Sequence, residues 1–243
     1  MALREEFERS GNWLFRWRSY LPLAFILLFL IALTDFKYPV GGHAWELFCL
    51  GVSFFGLGIR MYAVGCAPRG TSGRNVKEQR AEVLNTTGIY SLARHPLYLG
   101  NFVIWFGIIL SVRLWWFMAV ALLIFWLYYE RIIFAEEEFL RKKFGDAYLK
   151  WASATPVFFP TKLGRGCPSA LPFEFKNALR REYSGFFAII SVFSLLELLK
   201  TRIVEGEFVF DPIWTGIFIF GLAVYLTLLI LKKKTKFLDV QGR

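Results

Sequence analysis

The chain has only three cysteines, Cys49, Cys66 and Cys167, and they are scattered without ligand spacing. That excludes a disulfide framework and a cysteine-based zinc site. Cys49 lies inside a hydrophobic run and reads as a small buried residue. Charge is also scarce, at 20% of residues, and no hydrophilic block is long enough for a separate soluble domain, so one domain over 1–243 is expected. No small-x-small cleavage site precedes Asp35. The apolar run Leu21 to Leu33, which follows a segment of mixed charge, therefore reads as a retained anchor rather than a signal peptide.

What the chain has in abundance is apolar and aromatic side chain. Hydrophobic residues make up 56% and aromatics 19%, more than a soluble globular domain carries, so the expected class is an all-α, polytopic membrane protein. Hydrophobic runs cover Tyr20–Thr34, His43–Gly65, Leu97–Val112, Leu114–Tyr129, Ser184–Leu199 and Ile213–Leu231, which predicts about six transmembrane helices. Trp13, Trp17, Trp45, Trp115, Trp116 and Trp214 flank these runs, at the interfacial level indole rings prefer. Only Arg113 and its neighbours separate the middle pair, which predicts a tight helical hairpin.

Of the 29 Lys and Arg, 24 fall in alternate loops and four in the others. Basic loops face the cytoplasm in such proteins, so both termini and the larger polar loops are expected on the cytoplasmic side. The net charge of +10 is accounted for by basic loops against an anionic leaflet, and nucleic acid is not an expected partner. In the loop after Cys66, Pro68, Gly70, Ser72 and Gly73 form turns among Arg69, Arg74, Lys77 and Arg80. This is either a positive-inside loop alone or a surface for anionic headgroups. Pro172 to Tyr183 reads as an interfacial helix leading into the last two spans, and the run of lysines from Lys232 to Lys236 as a topology anchor.

Two polar runs stand out against this background. The first is GIYSLARHPLYLG, from Gly88 to Gly100, which sets Tyr90, Arg94 and His95 at the entrance of a hydrophobic helix. Polar groups at that position are costly to dehydrate and mark a functional candidate. The second, Glu136-Glu137-Glu138, follows one hydrophobic hairpin later, in a predicted helix from Glu130 to Trp151. Leu140, Phe144, Tyr148 and Trp151 form an apolar stripe there, interrupted at Gly145-Asp146. Read alone, the acidic run is a solvated face pairing with Arg141, Lys142 and Lys143, and His95 is a helix N-cap or an interfacial histidine. Read together, the two runs close on each other around a polar ligand.

The order of GIYSLARHPLYLG, a helical hairpin, EE-x2-L-x3-FG-x2-Y-x2-W and the Pro156/Pro160 pair resembles the isoprenylcysteine carboxyl methyltransferase and phospholipid methyltransferase superfamily. The resemblance covers about Asn75 to Pro160 and leaves helices at about 172–231 outside the shared core. It implies an integral-membrane methyltransferase using S-adenosylmethionine. By the same resemblance the cofactor contacts are Glu82, Val83, Leu84, Asn85, Tyr90, His95, Pro96, Leu97, Tyr98 and Glu136, with Glu137 as a supporting or helix-positioning residue. A carboxylate suits the ammonium of that cofactor, while His95, Tyr98 and backbone N–H groups near Pro96 suit its carboxylate. No metal is implied.

An acceptor that is anionic at neutral pH needs no general base, only alignment and desolvation. Arg94 and Arg131 are the candidates to orient it, and with His95 they complete the expected catalytic set. Prenylcysteine enzymes place an arginine where this chain has Ile132, and Arg131 points about 100° away from that face of a helix. That departure and the two additional helices put a prenylcysteine substrate in doubt, while the basic loop and tail favour an anionic lipid acceptor. The resemblance to bacterial enzymes that methylate a lipid A phosphate makes a lipid phosphate the first expectation, with a prenylcysteine carboxylate or a phospholipid amine as alternatives. The setting implied is a bacterial inner membrane, with lipid or lipidated substrates as partners. Two further readings stay open: an NADPH-dependent reductase of the sterol C-14 type, which shares RHP-x-YLG, and a membrane scaffold without catalysis.

Overall fold

The computed structural model describes residues 2–18, 20, 24–36, 43–68, 79, 81–160 and 167–240. Among them are eight α-helices and no strand: α1 (Leu3–Trp17), α2 (Ala24–Thr34), α3 (His43–Gly65), α4 (Pro96–Leu110), α5 (Trp115–Phe144), α6 (Asp146–Ala154), α7 (Phe175–Glu205) and α8 (Pro212–Lys234). The start of the first apolar run at Leu21, the basic loop residues Arg69, Gly70, Ser72, Gly73, Arg74, Lys77 and Arg80, and the boundary at Asn75 lie outside the described residues.

Three helices, α3, α5 and α8, are long and apolar enough to cross a bilayer. Two more are apolar but short, α2 with 11 residues and α4 with 15, against the ~20 that a hydrocarbon core requires. The six spans expected from the hydrophobic runs are thus not what the described helices establish. The interfacial helix and separate span expected around Tyr183 are instead one uninterrupted α7 of 31 residues, with Glu182, Glu197 and Lys200 buried along it. The second half of the hairpin and the acidic run are likewise one continuous α5 of 30 residues, so the polar run is rigidly fixed to a spanning element.

Local chemistry sets the helix ends. Asp211 caps α8, its Oδ1 accepting from the N–H of Ile213 at 2.9 Å and of Trp214 at 3.1 Å. Pro212 follows at the first helical position, and three lysines close the last turn against the helix dipole. Gly145, at φ +52°, separates α5 from α6, a backbone region that side-chain-bearing residues avoid.

α3 packs on both α4 and α7, α1 on α5, and α7 on α8. The α3–α4 contact is close because it is built on glycine: a Cβ on Gly56 would lie 2.7 Å from the Gly100 carbonyl oxygen, and one on Gly107 would strike the Ser53 hydroxyl. Small residues of this kind let spanning helices approach without a hydrophobic driving force. The apolar core, with Leu33, Cys49, Leu57, Ile109, Phe117 and Phe193, fills one part of the bundle. Ile26, Leu27, Phe48, Phe55, Leu123, Trp126, Ile219 and Phe220 point outward, an apolar exterior suited to lipid.

The amphipathic α1 has no counterpart among the expected elements. It lies along α5, with Gly11 against the Arg131 carbonyl and with Arg4 bonded to Glu138 and Lys142 to Glu8.

Candidate active site

The RHP run is held by the segment that follows α6. The N–H of Arg94 donates to the carbonyl of Pro156 at 2.9 Å and that of His95 to Val157 at 3.2 Å. The indole of Trp151 donates to the Tyr90 carbonyl at 3.1 Å. Pro156, Val157 and the closing tryptophan therefore fix the backbone of the polar run. They also occupy the N–H groups of Arg94 and His95, which are not available to a ligand carboxylate as the sequence suggested. The 3₁₀ turn Gly88–Ser91 precedes the run, and Gly88 at φ +60° makes the entry that a glycine accommodates.

The acidic run closes on this frame from α5. Glu137 Oε1 lies 3.1 Å from His95 Nε2 and 3.2 Å from Arg94 Nη1. An ionised carboxylate only accepts, so Nε2 carries a proton in this pair. His95 is 6% exposed and its side chain makes no cap bond to α4, so it acts through its carboxylate partners and not as an N-cap. Its ring stacks on Tyr98 with centroids 5.6 Å apart. Glu136 approaches the other ring nitrogen, Oε2 to Nδ1 at 3.7 Å. That oxygen is buried and makes no hydrogen bond among the described residues.

Beside this cluster is a cavity of about 330 Å³, within the range of small-molecule sites. Val83, Leu84, Asn85, Tyr90, Arg94, His95, Pro96, Leu97, Tyr98 and Glu136 line it. Two of the proposed contacts do not. Glu82 is exposed and outside the lining, and Glu137 stands behind His95 and Arg94. Arg131 is also displaced: its guanidinium lies over the Phe7 ring of α1 at 3.3 Å, a cation–π contact on another face of α5. The reason is the 100° offset per helical residue, which turns Ile132 into the cavity and Arg131 away from it.

Burial, and then the charge of Glu136, raises the Tyr90 phenol above the ordinary tyrosine range. At Tyr148 the same shift comes from burial and then Glu137. Both phenols are therefore proton donors at neutral pH.

The opposite wall is built from residues not among those expected from the sequence. Arg60 of α3 donates through Nε and Nη2 to both carboxylate oxygens of Glu182, at 2.9 and 2.8 Å, and through Nη1 to Asn101 Oδ1. Asn101 Nδ2 in turn donates to the Tyr129 hydroxyl at 2.9 Å. Phe15 and Arg18, from the N-terminal segment, and Arg181 line the cavity too. The available signal was an arginine inside an otherwise apolar helix, which membrane energetics tolerates only with partners. Nothing in sequence spacing ties it to Glu182, which is 122 residues away. Among the described residues no group of three His, Cys, Asp or Glu is arranged to hold a metal ion.

Residues 48–147 match the family model PEMT, phospholipid methyltransferase. The nickel-cobalt-cadmium resistance protein NccN of Alcaligenes xylosoxydans xylosoxydans is 38% identical over 107 residues, 43% of this chain and 47% of that protein. The cobalt-zinc-cadmium resistance protein CzcN of Cupriavidus metallidurans is 35% identical over 85 residues, 35% of this chain and 39% of that one. Protein-S-isoprenylcysteine O-methyltransferase of Schizosaccharomyces pombe is 33% identical over 86 residues, 35% and 36% of the two chains. The chain spans less than half the length of each of these relatives. No solved structure matches it.

Proposed function

We propose that the chain is an S-adenosylmethionine-dependent O-methyltransferase of the membrane, a reading supported by the match of residues 48–147 to the phospholipid methyltransferase model and by the similarity to an isoprenylcysteine O-methyltransferase. Its acceptor is an anionic group of a lipid or lipidated substrate, and a lipid phosphate in first place. The observation that carries the cofactor assignment is the buried, unpartnered Oε2 of Glu136 beside the cavity. A buried carboxylate oxygen without a donor is costly, and the ammonium of S-adenosylmethionine is a donor of the right charge.

When bound, S-adenosylmethionine supplies a methyl group on a sulfonium sulfur, which keeps the bonding electron pair as the methyl carbon joins the acceptor oxygen. Glu136 binds the cofactor's ammonium. Leu84, Asn85 and Tyr90 form the wall beside it, with Tyr98 under the His95 ring. Glu137 holds His95 and Arg94 in place, so those two side chains are oriented before any ligand arrives. The chain contributes alignment and exclusion of water, and an anionic acceptor requires no proton removal. Arg94 orients the acceptor in this reading; Arg131, stacked on Phe7, has no part in it.

The preference for an anionic acceptor rests on the lining, which contains Arg18, Arg60, Arg94 and Arg181 against Glu136 and Glu182. The excess of Lys and Arg in alternate loops supports a site on the cytoplasmic face, and the reading sets it in a bacterial inner membrane.

Incubating the purified protein with radiolabelled S-adenosylmethionine and vesicles of total lipid extract tests the reading. A labelled phosphate or carboxylate ester supports it. A labelled amine lipid would replace O-methylation by N-methylation, and no labelled lipid at all would overturn it.

A further inference from the structure

Resting on that reading, the chain Glu182–Arg60–Asn101–Tyr129 identifies a residue that grips the methyl acceptor. The direction of every bond in this chain is fixed by chemistry. A guanidinium has five N–H donors and no acceptor, so the Asn101 atom facing Arg60 must be its carbonyl oxygen. The amide nitrogen of Asn101 is thereby turned to Tyr129, 2.9 Å from its hydroxyl. An amide nitrogen donates and does not accept, so the Tyr129 oxygen accepts from it, and the phenolic proton points elsewhere. No described residue accepts it.

Two further facts locate that proton. Tyr129 lines the cavity, and its ring is clamped by Phe125 at 4.3 Å and Tyr98 at 5.0 Å between centroids, so the hydroxyl cannot swing out to another partner. On α5, Tyr129 precedes Glu136 by two helical turns, about 10 Å along the axis, on the side toward the apolar length of the helix. Asn101 likewise lies deeper in α4 than His95. The cavity thus has an end lined by Glu136, His95 and Tyr90 and a bilayer-side end lined by Tyr129, Asn101 and Arg60. In the reading proposed above, the lipid headgroup is the ligand of the second.

We propose that Tyr129 donates its phenolic proton as a hydrogen bond to the anionic oxygen of the methyl acceptor, and that Glu182, Arg60 and Asn101 are positioning residues that enforce this polarity. The bond holds a phosphate or carboxylate oxygen and gives nothing to an amine, which at neutral pH is itself a donor. The outer helix α7 is then part of the acceptor site, because Glu182 anchors the chain of bonds from there.

The decisive pair of variants is Tyr129→Phe and Asn101→Asp. The first removes the donor. The second is nearly isosteric and keeps the Arg60 contact with an added charge, but an aspartate oxygen captures the Tyr129 proton and reverses the last bond. Both are assayed with radiolabelled S-adenosylmethionine and total-lipid vesicles, and their S-adenosylhomocysteine affinity is measured by titration calorimetry. The expected result is a fall in kcat/KM for lipid of roughly ten- to a hundredfold in each variant, the scale of one hydrogen bond to a charged group. The S-adenosylhomocysteine affinity should stay within about twofold, and the thermal stability of Asn101→Asp should not fall. Unchanged kcat/KM in both variants overturns the proposal, as does a loss of S-adenosylhomocysteine affinity, which would make Tyr129 a cofactor contact. A wild-type protein that labels no lipid overturns the methyltransferase reading itself, a result distinct from either.

Discussion

Glu136 Oε2 stands 3.7 Å from His95 Nδ1, beyond hydrogen-bonding distance, while the adjacent Glu137 reaches His95 Nε2 at 3.1 Å. Two neighbouring carboxylates on one helix thus meet the same imidazole from its two nitrogens and end in different states. Glu137 is consumed in the frame, with Arg94 as a second partner. Glu136 keeps a buried oxygen without a donor. One carboxylate builds the site and the other is left to bind.

That division predicts opposite outcomes for matched substitutions. Glu137→Gln weakens the contact with both His95 and Arg94 and lowers stability, by about 1–3 kcal/mol for a buried polar group losing its partner. Thermal unfolding of the detergent-solubilised protein measures it against Glu136→Gln, which alters a carboxylate whose buried Oε2 makes no hydrogen bond and does not lower stability.

The glycine contact between α3 and α4 governs the acceptor wall. A Cβ on Gly100 would lie 2.5 Å from Arg60 Cγ and 2.9 Å from the Gly56 carbonyl oxygen. Gly100→Ala must therefore push Arg60 away from Asn101 or part the helices, at about 1–3 kcal/mol for overpacking. The expected readout is slower methyl transfer to lipid with a smaller loss of S-adenosylhomocysteine affinity, and calorimetry alongside the transfer assay separates the two.

At the far end of the bundle a second charged group is structural. Lys200, 1% exposed, lies 3.5 Å from Glu46 and 3.7 Å from Glu197, and Arg113 reaches Glu46 at 3.2 Å. Lys200→Ala takes the ion-pair partner from buried Glu197 and leaves Glu46 only Arg113, and costs about 3–5 kcal/mol. Unfolding measurements should show that loss, while the S-adenosylhomocysteine affinity of the protein that remains folded is unchanged.

The sequence exposes local features of this molecule better than distant ones. GIYSLARHPLYLG and Glu136 stand out because polar groups beside apolar helices are expensive, and nine of the contacts that the family resemblance implied line one cavity together with Arg94. Arg131 and Ile132 show the limit: one step along a helix turns a side chain by 100°, and a candidate chosen for its charge ends against Phe7. The helix α1 and the Arg60–Glu182 pair were not legible, since the first depends on packing against α5 and the second joins residues whose only link is the fold. The expected six spans are not established for a related reason. Hydropathy marks apolar runs, but α2 and α4 are too short to cross alone, and α7 hides its charges by pairing them with α3.

The most direct test of the whole account is the affinity of the detergent-solubilised protein for S-adenosylhomocysteine, measured by titration calorimetry in wild type and Glu136→Gln. The account predicts saturable binding in wild type, a fall of roughly ten- to a hundredfold in the variant as the charged hydrogen bond is lost, and no binding of NADPH. Equal affinity in the two proteins, or binding of NADPH in place of S-adenosylhomocysteine, would contradict it.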